Sequence, residues 1–161
     1  MCKIIFNPLK SIVFASIFLF GATLVTSCSK KGCTDPTSDN YETEAEEDDG
    51  SCEDPRPKFV GTYNVTEDGA NYSLTISNST SNERGIVLNS NWGFLDSNDN
   101  PIPAFNLSAS VSQSTFTISP QTAAGVTIQG SGTISGNKLT ITYSATDGGT
   151  TDNFIAVATK L

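Results

Sequence analysis

The sequence predicts an all-β fold: an antiparallel up-and-down meander of about eight strands over residues 58–161, closing into a small barrel. Three observations carry this. From Phe59 onward Thr, Ser, Val, Ile and aromatic residues alternate with polar ones, and no helical period is present. Two-residue turn signals recur between the alternating runs. The registers those turns impose place the apolar residues of both partner strands on one face. A meander with one apolar face must close on itself or stack on a second sheet. Closure needs no crossover, because the hairpins are sequential; a β-sandwich is the alternative.

The hairpins justify the strands one by one. A turn at Asp68-Gly69 sets Val65 opposite Tyr72, Tyr63 opposite Leu74 and Gly61 opposite Ile76. A turn at Gln113-Ser114 sets Val111 opposite Phe116 and Ala109 opposite Ile118. Gly136-Asn137 pairs Ile134 with Leu139, Gly132 with Ile141 and Gly130 with Tyr143. Gly148-Gly149 pairs Tyr143 with Phe154, Ile141 with Ala156 and Leu139 with Ala158. Between the first two hairpins, Arg84–Leu88 reads as a strand with Ile86 and Leu88 inward, and Trp92–Leu95 as a short one. Asp96 to Pro101 is a turn by composition, and Phe105, Leu107, Ala109 and Val111 line the next strand.

The N-terminal part has a different character. Lys3 and Lys10 precede Ile12–Val25, fourteen residues without a charge. A membrane span needs roughly 20 apolar residues, so this run suits the core of a secretory signal. Leu24-Val25-Thr26-Ser27-Cys28 follows, and it resembles the lipobox of bacterial lipoproteins. The resemblance implies a leader of residues 1–27, removed before Cys28, and a diacylglycerol thioether on the Cys28 thiol with an acylated (palmitate-type) amine. Cys2 falls in the leader. Two or three acyl chains hold a protein stably on a membrane, whereas one holds it marginally. An aspartate after the cysteine retains some such lipoproteins at the inner membrane. Here Ser29 follows, so the outer membrane is the expected address.

Charge and cysteine content narrow the function classes. The chain carries 17 acidic and 9 basic residues, a net charge of −8, and has no histidine. Asp35 to Asp54 contains ten acidic residues and no basic one, while Pro55 to Leu161 is nearly balanced. No basic footprint for nucleic acid exists. Lacking histidine, the chain has no histidine-based triad, no Cys-His pair and few routes to a zinc site. No G-x-S-x-G elbow is present, because Gly130-Ser131-Gly132 lies within a strand. Glu67, Asp68, Asp96, Asp99, Asp147 and Asp152 fall in or beside turns, where acids are solvated. A non-enzymatic domain is expected.

With Cys28 acylated, Cys33 and Cys52 remain, and a pair in an exported chain reads as a disulfide. Gly32-Cys33-Thr34-Asp35-Pro36, Asn40-Tyr41 and Asp48-Asp49-Gly50-Ser51-Cys52 resemble a short cysteine-bounded module of surface and secreted proteins of Bacteroidota. Glu42-Thr43-Glu44 departs from the Asn-Pro that commonly follows the tyrosine there. Residues 28–57 are read as a lipidated, disulfide-closed acidic spacer with a Pro55/Pro57 linker. A Ca²⁺ site on Asp35, Asp39, Asp48 and Asp49 is the competing reading, although the EF-hand spacing is absent.

The phrase Phe59-Val60-Gly61-Thr62-Tyr63 resembles the opening of lipocalin-type barrels, with tyrosine in place of tryptophan. Residues 57–161 as a whole are similar to small lipocalin-like domains of Bacteroidota lipoproteins. The expected inward face mixes small residues (Gly61, Ala109, Gly130, Gly132, Ala145, Ala156, Ala158) with large ones. Either the small residues make room for rings and the interior is filled, or they leave a cavity for an apolar ligand. In the second case Tyr63, Tyr72, Trp92, Tyr143 and Phe154 are the ligand contacts. Outward threonines such as Thr75, Thr133, Thr140 and Thr142, or an exposed Trp92, offer a carbohydrate-facing surface. The functional expectation is therefore a membrane-anchored envelope lipoprotein with a structural or binding barrel. A carrier of a small apolar ligand is the alternative, and a glycan module the third.

Overall fold

Alternation of apolar and polar residues gives most segments of the barrel domain one buried and one solvated face, which suits a strand. The computed structural model describes residues 29–95 and 98–161. Its strands are β1 (Lys31–Gly32), β2 (Glu47–Asp48), β3 (Gly61–Glu67), β4 (Ala70–Asn78) and β5 (Gly85–Ser90), then β6 (Phe105–Ser112), β7 (Thr115–Ala123), β8 (Val126–Ser135), β9 (Lys138–Asp147) and β10 (Thr150–Lys160). Strands β3 to β10 form a closed eight-stranded antiparallel barrel in which sequence neighbours are spatial neighbours and β10 returns to pair with β3. The barrel, rather than the sandwich, is the architecture.

Three hairpins have the registers that their turns predict. Val65 faces Tyr72, Gly130 faces Tyr143, and Tyr143 faces Phe154. Asp68 and Gly69 both have positive φ, as a type I′ turn demands. The fourth hairpin starts in the expected register, Val111 opposite Phe116, but its ladder ends at Ser110 and Thr117, so Ala109 and Ile118 are not paired. Pro120 has no N–H to donate, and the β7–β8 register shifts between Ile118 and Gln121. The Gln121 side-chain amide replaces the missing rungs. It accepts from the Ser108 N–H (2.9 Å) and donates to the Ser108 carbonyl (2.8 Å). Trp92–Leu95 is not a strand; it forms a turn, with only Leu95 bridged to Pro101. One hairpin had no strong sequence signal: Ala124-Gly125 joins β7 to β8, both residues at positive φ.

The interior is packed rather than hollow at its base. Tyr63, Leu74, Ile76, Ile86, Leu88, Leu107, Phe116, Ile118, Ile128, Leu139 and Ile141 are buried along the barrel interior. Each such side chain contributes about 1.5–3 kcal/mol of burial. Gly132 is small because the Phe116 ring occupies the place a Cβ would take. At Gly130 a Cβ would lie 2.6 Å from the Tyr143 Cβ. Gly132 makes room for a ring, as a filled barrel requires, whereas Gly130 lets the β9 backbone approach closely, its Cβ position lying against the Thr142 carbonyl oxygen. Phe59 plugs the base, edge-on to Phe116 at 5.7 Å between centroids. The Tyr63 hydroxyl donates to the Phe59 carbonyl (2.6 Å), and burial pushes its pKa up to about 12.

The acidic segment does not stand away from the barrel. Strands β1 and β2 pair in parallel, the Cys33–Cys52 disulfide closes the loop, and residues 35–39 of the module rest on the barrel base. Arg84, at the start of β5, donates to the Asp35 carboxylate and the Ser38 hydroxyl. Lys58 pairs with Asp39. The Gln113 N–H, at the β6–β7 turn, donates to the Thr37 carbonyl (2.9 Å). Asn40, of the Asn-Tyr pair, ties the loop internally through Ser51 O (2.7 Å) and the Glu53 N–H (2.8 Å). The acidic spacer is thus docked on the barrel through Asp35, Thr37 and Asp39, because basic residues of the barrel domain meet its aspartates.

Candidate functional site

The opposite end of the barrel, its mouth, gathers the unusual chemistry. Ser90 ends β5 buried; its hydroxyl donates to the Ser73 carbonyl (2.9 Å) and accepts the Trp92 N–H (3.1 Å). This bond starts a tight turn with Trp92 and Gly93 at positive φ. Gly93 lies on the Tyr72 ring, where a Cβ would sit 3.2 Å from Cε1. The turn drives the Trp92 indole inward until the residue is 1% exposed. The ring meets Tyr143 edge-on at 5.1 Å, and Tyr143 stacks on Phe154 at 5.0 Å. Phe94 packs between Phe105 (6.3 Å) and Phe154 (6.5 Å).

Within this aromatic cluster lies a carboxylate. Glu67 is the third inward residue of β3, after Tyr63 and Val65, and is 6% exposed. Its Oε2 accepts hydrogen bonds from the Tyr72 hydroxyl (2.7 Å) and the Tyr143 hydroxyl (3.1 Å). Its Oε1 has no partner, and neither does the Trp92 indole N–H. Burial raises the Glu67 pKa above the ordinary carboxylate value; the two tyrosine bonds work against that rise, and Asp68 adds to it. The Tyr72 and Tyr143 hydroxyls are both pushed upward, first by burial and then by the carboxylate they serve. An unmet buried oxygen costs about 1–3 kcal/mol, so it is retained against stability. At the same end of the barrel a cleft of about 390 Å³ is lined by Phe94, Val126, Ala145, Asp147, Thr150, Asp152 and Phe154; Phe154 links it to Glu67 through Tyr143.

Four of the five expected ligand contacts therefore converge: Tyr72, Trp92, Tyr143 and Phe154. Tyr63 does not join them, because its place early in β3 puts it at the base. Trp92 is core, so its indole does not present a face for stacking on a sugar. The four aspartates considered for Ca²⁺ serve other partners. Asp35 binds the Thr37 N–H (2.8 Å) and hydroxyl (2.7 Å), which hold its carboxyl below the usual range, with Arg84 adding to the effect. Asp39 pairs with Lys58, Asp48 accepts the Gly50 N–H, and Asp49 the Ser51 N–H. Among the described residues no three acidic or cysteine side chains converge on a metal-sized site. Cys28 lies outside the described residues.

Glu67 was expected in solvent beside the Asp68-Gly69 turn; it is instead inside the barrel. Its alternation with Tyr63 and Val65 is the signal that marks it as inward. Phe94 had no such signal, since the turn that aims it is set by Ser90 and Tyr143. No protein-family model, no curated protein and no solved structure matches the chain.

Proposed function

We propose that this chain is a cell-envelope lipoprotein, anchored through an acylated Cys28, whose barrel is a non-enzymatic binding module that receives a small, largely apolar ligand at its mouth. The observation that carries the binding role is the mouth itself: a cleft walled by Phe94 and Phe154, at the barrel end that also buries a carboxylate with an unmet oxygen. Pockets with an apolar wall and a few placed polar groups are the usual form of small-molecule sites. The anchor rests on the lipobox-like stretch and on the cysteines. Cys33 and Cys52 are joined to each other, which leaves the Cys28 thiol for the lipid. Among the described residues no helix is long and apolar enough to cross a membrane.

Two measurements test the two halves. Processing in the native host should be globomycin-sensitive and lost in Cys28→Ala; a variant processed as before would sink the anchor. Trp92 is the one tryptophan of the chain. Its emission should change when small aromatic probes fill the mouth, and silence toward every probe would sink the binding role.

A carbohydrate-binding reading has one observation of its own. Where β6 and β7 part, a cleft of about 330 Å³ is lined by hydroxyls and amides, including Ser79, Asn82, Ser108, Ser119 and Gln121. Glycan-array binding lost on Gln121→Ala would favour it.

A further inference from the structure

We propose that the ligand of the mouth is a small organic cation: an amine carried on an apolar body, its ammonium group held by Glu67. This rests on the mouth being a binding site and names what the site selects. The basic residues of the barrel domain all lie at the end away from the mouth, where the acidic segment meets them, which leaves the mouth with carboxylates and no cation. Every basic side chain from Arg56 onward sits at the base: Arg56 and Lys58 before β3, Arg84 before β5, Lys138 at the start of β9 and Lys160 at the end of β10. The mouth carries Glu67 and Asp68 at the β3–β4 turn, and Asp147 and Asp152 around the β9–β10 turn. The cleft lining includes two of these carboxylates and no basic residue. Such a field concentrates cations and repels anions.

The interior supplies the second half. Glu67 Oε1 is buried, unpartnered and capable only of accepting, so its complement is a donor. Its other oxygen is already held by two tyrosine hydroxyls, which fixes the carboxylate in place. Around it stand the faces and edges of Trp92, Tyr143 and Phe154, and aromatic faces attract ammonium groups. A fatty acid would bring a carboxylate to a site with three carboxylates and no cation, so fatty acids are excluded by the same charges. The Trp92–Phe94 turn lies over Glu67: a Cβ at Gly93 would sit 3.9 Å from Oε2. Ligand access displaces this turn, so Trp92 emission reports binding.

The test uses three probes of matched shape on the intact chain: phenethylamine, its neutral isostere propylbenzene, and the anion hydrocinnamate. Trp92 fluorescence and calorimetry should show phenethylamine binding at least about tenfold more tightly than propylbenzene, with no response to hydrocinnamate. In Glu67→Gln that preference should fall to near unity while the near-ultraviolet spectrum of the barrel is retained. Equal or tighter binding of propylbenzene overturns the cation assignment and leaves the mouth as a site. Binding of hydrocinnamate overturns the assignment as well. Silence toward all three probes overturns both readings. A preference that survives Glu67→Gln and disappears in Asp147→Asn/Asp152→Asn overturns the role of Glu67.

Discussion

Glu67→Gln should stabilise the barrel at neutral pH, and the gain should fade as the pH is lowered. The glutamine keeps an acceptor for the two tyrosine hydroxyls and removes a charge that burial disfavours. The glutamine amide still has no partner on that side, so the gain reflects the removed charge alone, on the order of 1 kcal/mol. For a chain of this size that is about 3–5 °C in Tm. The sign follows from linkage. The folded pKa of Glu67 lies above its ordinary value of 4.5, so between the two values the folded state binds more protons than the unfolded one. Stability from this group is complete below 4.5 and is lost as pH rises through the folded pKa. Thermal unfolding of wild type and variant, followed by Trp92 fluorescence from about pH 4 to about pH 8, isolates the group, because every other carboxylate cancels in the difference. The variant should gain only at the upper end. A pH-independent difference, or a wild type that gains on the variant as pH rises, would refute the account of a desolvated carboxylate. The same substitution weakens amine binding, so stability and affinity should move in opposite directions.

Gly132→Val should destabilise the barrel by about 1–3 kcal/mol in urea unfolding, since its side chain enters the space of the Phe116 ring. Adding Phe116→Leu should recover part of the loss, and an additive double variant would argue that the two residues do not share that space. Removing the disulfide with Cys33→Ser/Cys52→Ser opens a loop of about 20 residues, worth about 3 kcal/mol in the chain-entropy model. That loss should appear as faster amide exchange across residues 31–53, with barrel amides unchanged; equal loss in the barrel would mean that spacer and barrel unfold as one unit. The spacer should also be acid-sensitive. Asp35 and Asp54 have depressed folded pKa values, held chiefly by Thr37 and Arg56 respectively, so their contribution is present above their ordinary 3.8 and lost as pH falls through the folded values. Proteolysis of the loop should increase only below about pH 4; an increase near neutrality would contradict it.

What the sequence by itself determined was local. Two-residue turns at Asp68-Gly69, Gly136-Asn137 and Gly148-Gly149 set registers over a few residues, and a period of two then assigns every side chain to a face. Three registers and the single apolar face follow from that, the pairing of Cys33 with Cys52 from the cysteine count, while the choice of barrel over sandwich was made by the pairing of β10 with β3. The remainder was decided by residues distant in the chain. The Arg84–Asp35 contact, 49 positions apart, docked the acidic spacer on the barrel. The Gln121 amide replaced rungs that Pro120 could not support. Glu67 met Tyr143, 76 positions away, only because the barrel closed through β10. A turn residue is read from its own φ preference, whereas a buried carboxylate is defined by what surrounds it. That surrounding exists only once the strands have met.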